Sequence, residues 1–76
     1  MKLYDLVNAM TIQGNIELAV FDANGEEIER ATFPYCDDLS CCDIAEYEDF
    51  EVTYMFPNST SSGRAWLTIE VQKEED

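Results

Sequence analysis

The apolar residues change their period at Gly14, and that change limits the chain to a small set of folds. Before it, Leu3, Leu6, Val7 and Met10 fall at i, i+3, i+4 and i+7, one stripe of an amphipathic helix. The spacing predicts a helix over residues 2–13, its stripe buried in a core and Gly14 in the place of a C-terminal cap. From Asn15 the period becomes two. In "NIELAVFD", Ile16, Leu18 and Val20 alternate with Glu17 and Ala19, as in a half-buried strand. "DANGEE" supplies a hairpin turn in which Gly25 can take positive φ. The return strand is "EIERATFPY". A two-residue Asn24-Gly25 turn sets Phe33 opposite Ile16, and a longer turn with a bulge at Gly25 sets Thr32 there. Pro34 removes a ladder donor and marks an edge strand or a strand end.

"EVTYMFP" at 51–57 and "AWLTIEVQ" at 65–72 form a second pair, joined by the polar, glycine-containing "NSTSSGR". Alternation assigns Val52, Tyr54 and Phe56 to one buried face, and Ala65, Leu67, Ile69 and Val71 to another. "KEED" reads as a solvated tail. Helix, hairpin, connection, hairpin predicts an α+β fold, with an N-terminal helix packed on a four-stranded antiparallel sheet made of two hairpins. The other sheet face would carry Glu17, Thr53, Met55, Trp66, Thr68 and Glu70. Met55 and Trp66 there are a secondary candidate patch for a partner.

Length and composition agree with one small domain over residues 1–76. The chain is 46% hydrophobic, with one Trp, four Tyr and four Phe, far richer than a disordered tail. No apolar run approaches the roughly 20 residues that span a bilayer. Asp5 interrupts what would be the apolar part of a signal peptide in "MKLYDLVNAM". A cytoplasmic location is expected.

Charge is the outlying property. Seventeen acids against four bases leave a net −13. Such a balance bears on association and solubility rather than fold. It disfavours direct binding to nucleic acid or to an anionic membrane and favours a basic partner. Solubility alone is the competing explanation.

The acids are densest in "CDDLSCCDIAEYEDFE", residues 36–51, which also holds all three cysteines and no basic residue. A structural zinc site needs four Cys or His ligands, and C-x4-C-C with no histidine in the chain does not supply them. A calcium loop counted from Asp37 puts Leu39 and Cys41 at ligand positions and Cys42 where glycine is required. No metal and no cofactor are expected. An odd cysteine count without a secretory signal points to reduced thiols that pack as small hydrophobes; a Cys36–Cys41 bridge is the conceivable exception.

Catalysis has little support. Carboxylate pairs occur by chance throughout an acidic chain, histidine is absent, and a cysteine nucleophile would lack its base. No catalytic residues are assigned and an enzyme is not expected. Local chemistry instead predicts a short helix, with Ser40 as N-cap, Asp43 at N3, and Leu39 and Ile44 as a hydrophobic staple. Ile44 and Tyr47 then share a face. Asp37, Asp38, Asp43, Glu46, Glu48, Asp49 and Glu51 remain as a partner-binding surface. B-form DNA carries about one negative charge per 1.7 Å of axis, and acids on a rigid scaffold can approximate that field for a nucleic-acid-binding protein.

The whole chain resembles short acidic proteins encoded by phages and mobile elements of gut bacteria, through "KLYDLVNAMTIQGNIELAVFD", "YEDFEVTYMF" and "GRAWLTIEV". That group implies no activity and no site residues. In size and charge the chain is also similar to phage inhibitors that imitate DNA, including several anti-CRISPR proteins. The resemblance implies a non-enzymatic inhibitor that blocks a basic, nucleic-acid-binding surface of a host protein in the host cytoplasm. The other reading is a small structural or accessory domain acting through an apolar patch or an edge-strand dimer. Monomer and homodimer both stay open.

Overall fold

The computed structural model describes residues 1–59 and 63–74 of the chain. The elements are helix α1 (Leu3–Ala9) and strands β1 (Gly14–Phe21), β2 (Glu27–Cys36), β3 (Glu51–Ser59) and β4 (Ala65–Gln72). Two short 3-10 turns, Leu39–Cys41 and Ala45–Tyr47, lie in the connection between the hairpins. Thr60, Ser61 and Ser62 of the second hairpin loop, and Glu75 and Asp76 of the tail, lie outside the described residues.

The fold is α+β, but the sheet is mixed rather than purely antiparallel. Its order is β2-β1-β4-β3, and the central pair β1·β4 is parallel. Pro34 and Pro57 explain the order, because each removes a ladder donor and confines its strand to an edge. The connection explains the direction. Cys36 pairs with Gly14 at one end of β1, whereas Glu51 pairs with Gln72 at the other end of the sheet. Residues 37–50 therefore cross the sheet from end to end. They do so because Leu39, Ile44 and Tyr47 are buried in the core, with Phe50 packed against it. A connection that crosses the sheet starts β3 at the opposite end from where β2 stops, which leaves β1 and β4 pointing the same way.

The first hairpin takes the register with Phe33 opposite Ile16. It is reached indirectly. The Asp22 N–H donates to the Glu26 carbonyl at 2.9 Å, and Gly25 takes φ +88°, giving a three-residue loop. That loop alone would slip the pairing by one, and a bulge between Val20 and Phe21 on β1 and their β2 partners Glu29 and Glu27 restores it. Ile28 is the extra residue and is exposed.

A second bulge changes which residues face the core. β3 pairs Val52 with Val71 and then Tyr54 with Glu70, so Thr53 is unpaired and the alternation inverts. Val52, Met55 and Pro57 consequently share the helix side with Val71, Ile69 and Leu67. Tyr54 and Phe56, expected in the core, lie on the open face with Glu70 and Thr68. Ile69 and Val71 are fully buried, Val52 and Leu67 pack against the core, and Ala65 is exposed.

The helix is shorter than the 2–13 predicted. Leu3, Leu6 and Val7 are buried, but Met10 leaves the helix with φ −159° and is exposed, and Ile12 occupies the core instead. On an ideal helix Ile12 would point about 180° away from Leu3, into solvent. Unwinding after Ala9 exchanges an exposed β-branched isoleucine for an exposed methionine. At its start the Asp5 carboxylate accepts from the Lys2 N–H at 3.1 Å. Among the described residues no helix is long and apolar enough to cross a membrane.

Candidate interaction surface

The acidic connection is pinned at both ends and through its middle. The Leu39 N–H donates to the Ile12 carbonyl at 3.0 Å, and the Phe50 and Glu48 carbonyls accept from Leu3 and Tyr4 at 3.0 Å. The predicted single helix capped by Ser40 does not form. Asp38 is the cap, accepting from the Ser40 N–H at 3.0 Å and from its hydroxyl at 2.8 Å. The turn then breaks at Cys42 and restarts at Ala45, and Leu39, Ile44 and Tyr47 all reach the core from this broken path.

The seven predicted partner-binding acids divide into two groups. Asp37, Asp43, Glu46 and Asp49 are exposed, whereas Asp38, Glu48 and Glu51 are half-buried. Asp38 is engaged in its cap, and Glu51 meets the N-terminal ammonium at 2.9 Å. Ion pairs among the described residues otherwise involve Glu74 with Lys2, and Glu17 and Glu27 with Arg30. None of the carboxylates from Asp37 to Asp49 joins them.

Sequence reasoning missed Glu29. It lies on β2 facing the connection, where its carboxylate accepts from the Tyr47 hydroxyl. Asp43 and Glu46 add their fields at the same phenol. Residues from two elements thus form one negative surface, with Tyr47 buried beneath it. The only advance signal was the alternation that puts Glu29, Ala31 and Phe33 on one face.

Two of the four basic residues sit elsewhere. Arg30 belongs to the open sheet face, where Glu17 takes both its guanidinium at 3.0 Å and the hydroxyl of buried Thr68 at 3.2 Å. Arg64 stacks over the Tyr35 ring at 5.1 Å. Lys73 reaches only the far end of the connection, over Phe50 at 5.8 Å.

Tyr47 supplies a pH test. The hydrogen bond to Glu29 and then burial push its phenol from 10.0 up to about 12. A raised folded-state value means the contribution is complete below pH 10 and is lost as pH rises through about 12. Denaturation against pH is expected to show stability falling across that window. Tyr47→Phe should cost about 1 kcal/mol at pH 7 and flatten the fall above pH 10; an unchanged alkaline profile contradicts the assignment.

Met55 and Trp66 do not make the expected patch. Met55 pairs with Ile69 on the helix side and Trp66 pairs with Asn58 on the open side, so they face opposite ways. The open-face aromatics near Trp66 are instead Tyr54 and Phe56, with ring centroids 5.6 Å apart. Among the described residues no cluster of three or more His, Cys, Asp or Glu is arranged to hold a metal ion. An open depression lined by Ala23, Glu51, Thr53, Gln72, Lys73 and Glu74 has its carboxylates already in ion pairs with the N-terminus and Lys2. Comparison with protein-family models, curated proteins and solved structures returned no match.

Proposed function

We propose that this is a non-enzymatic binding protein of the DNA-mimic type, carried by a phage or mobile element, whose acidic connection blocks the basic, nucleic-acid-binding surface of a host protein in the host cytoplasm. One observation carries the reading. The connection buries Leu39, Ile44 and Tyr47 while exposing Asp37, Asp43, Glu46 and Asp49. Like charges so close along the chain repel one another, and buried anchors hold them in place against that repulsion. A fixed row of carboxylates can meet a fixed row of arginines and lysines, whereas the same charge on a loose tail loses affinity to ordering.

Long-range attraction between such surfaces extends over about 10 Å at 0.1 M salt. Capture of proteins from a bacterial host lysate on the immobilised chain, eluted with duplex DNA, tests this. The partner is expected to leave with DNA and with rising salt. Capture that neither DNA nor salt disturbs contradicts the mimic. It favours the second reading, a small accessory domain that associates through the exposed Tyr54 and half-buried Phe56 on edge strand β3.

A further inference from the structure

The Sγ atoms of Cys36 and Cys42 lie 3.0 Å apart, although the sequence singled out Cys36 and Cys41 as the conceivable pair. Cys36 ends β2 and is buried; Cys42 follows the first 3-10 turn and is half-buried; Cys41 is exposed. The turn produces this choice. It rotates Cys41 to solvent and brings Cys42 back over the strand end, where its thiol also points at the Asp38 carbonyl at 3.7 Å. A disulfide requires sulfurs at about 2.05 Å, so closing the pair takes about 1 Å of approach by side chains already in contact.

We propose that Cys36 and Cys42 are a reversible redox pair, closed to an intramolecular disulfide by a small-molecule disulfide of the glutathione type. Cys42, the more accessible of the two, attacks the small disulfide as its thiolate. A Cys42–glutathione bond forms, one glutathione leaves as thiolate, and it takes up the proton Cys42 gave. Cys36 then attacks the Cys42 sulfur as its thiolate and expels the second glutathione, whose thiolate takes up the proton Cys36 gave. Two protein thiols are oxidised and one disulfide is reduced to two thiols, so atoms and electrons balance. The product staples residues 37–41, which carry Asp37 and Asp38, to the end of β2.

Burial, then the hydrogen bond to Cys36, pushes the Cys42 thiol from 9.0 up to about 11. Little Cys42 thiolate exists at neutral pH, so the pair closes slowly, and faster as pH rises. The test is independent of the binding surface, because mass alone reports the outcome.

The purified chain is equilibrated in glutathione buffers from reducing to oxidising, its free thiols are alkylated, and it is weighed. At the oxidising end a loss of about 2 Da is expected, with a single cysteine left to alkylate. Cleavage before aspartate should leave the peptide ending at Cys36 joined to the peptide holding Cys41 and Cys42. Cys41→Ser should keep the cross-link, and Cys42→Ser should abolish it. Fragmentation of that joined peptide from the unmodified chain shows which of Cys41 and Cys42 carries the alkyl label, so the matter is decided even where a variant fails to fold. The proposal is overturned if all three thiols remain alkylatable throughout, if the cross-link runs through Cys41, or if a glutathione adduct on Cys41 is the sole product.

Discussion

Leu6→Asp is expected to unfold the protein. Leu6 is 3% exposed, on the helix face shared by Leu3 and Val7, above the apolar side of the sheet. An unpaired carboxylate there is desolvated at a cost of several kcal/mol, or else must stay protonated. A domain of this length has roughly 4–11 kcal/mol of stability in all, and the lost leucine packing removes about 2–5 of them in addition. Met10→Asp is the control. Met10 belongs to the same sequence stripe but is 57% exposed, so its replacement should stay within about 0.5 kcal/mol. Thermal or urea denaturation separates the cases. If Leu6→Asp melts like the parent, the helix is not docked on the sheet. If Met10→Asp is as damaging as Leu6→Asp, the helix does not end at Ala9.

The contrast between Leu6 and Met10 shows what was legible in the sequence. Periodicity located every strand, and β4 spans the 65–72 read from "AWLTIEVQ", because an uninterrupted period of two leaves little freedom. The end of α1 was not legible. Met10 fits the stripe, and only competition with Ile12 for one core position removes it. Parallel pairing of β1 with β4 was equally hidden, since it depends on where the connection ends rather than on either hairpin. The bulge at Thr53 carries no glycine and no proline, so nothing local announced that Tyr54 and Phe56 would leave the core side and Met55 would join it. Within the acidic stretch, Leu39 and Ile44 were readable as anchors from their staple-like spacing. Glu29 was not readable as a neighbour of Tyr47, because eighteen residues separate them and only the path of the connection brings them together.

The binding surface makes the second large prediction, and it depends on where charge sits rather than on how much there is. Lysine at Asp37, Asp43, Glu46 and Asp49 replaces four exposed acids and moves the net charge from −13 to −5, since −13 + 8 = −5. Folding should survive, because the anchors beneath them are untouched and repulsion along the connection falls. Exposed ion pairs each contribute about 0.2–1 kcal/mol, and reversal turns attraction into repulsion. Four reversals should therefore cost on the order of 3 kcal/mol, roughly 100-fold in affinity. Lysine at Glu26, Glu74, Glu75 and Asp76 makes the same change in net charge outside residues 37–51 of the sequence.

Calorimetric titration of both variants against the host protein released by duplex DNA is the most direct measurement of whether the connection is a shaped electronegative site. A loss of about 100-fold in the connection variant, with only a few-fold loss in the other, is the expected result. Equal losses in the two would mean that total charge alone acts, and an unchanged affinity in the connection variant would contradict the proposed site outright.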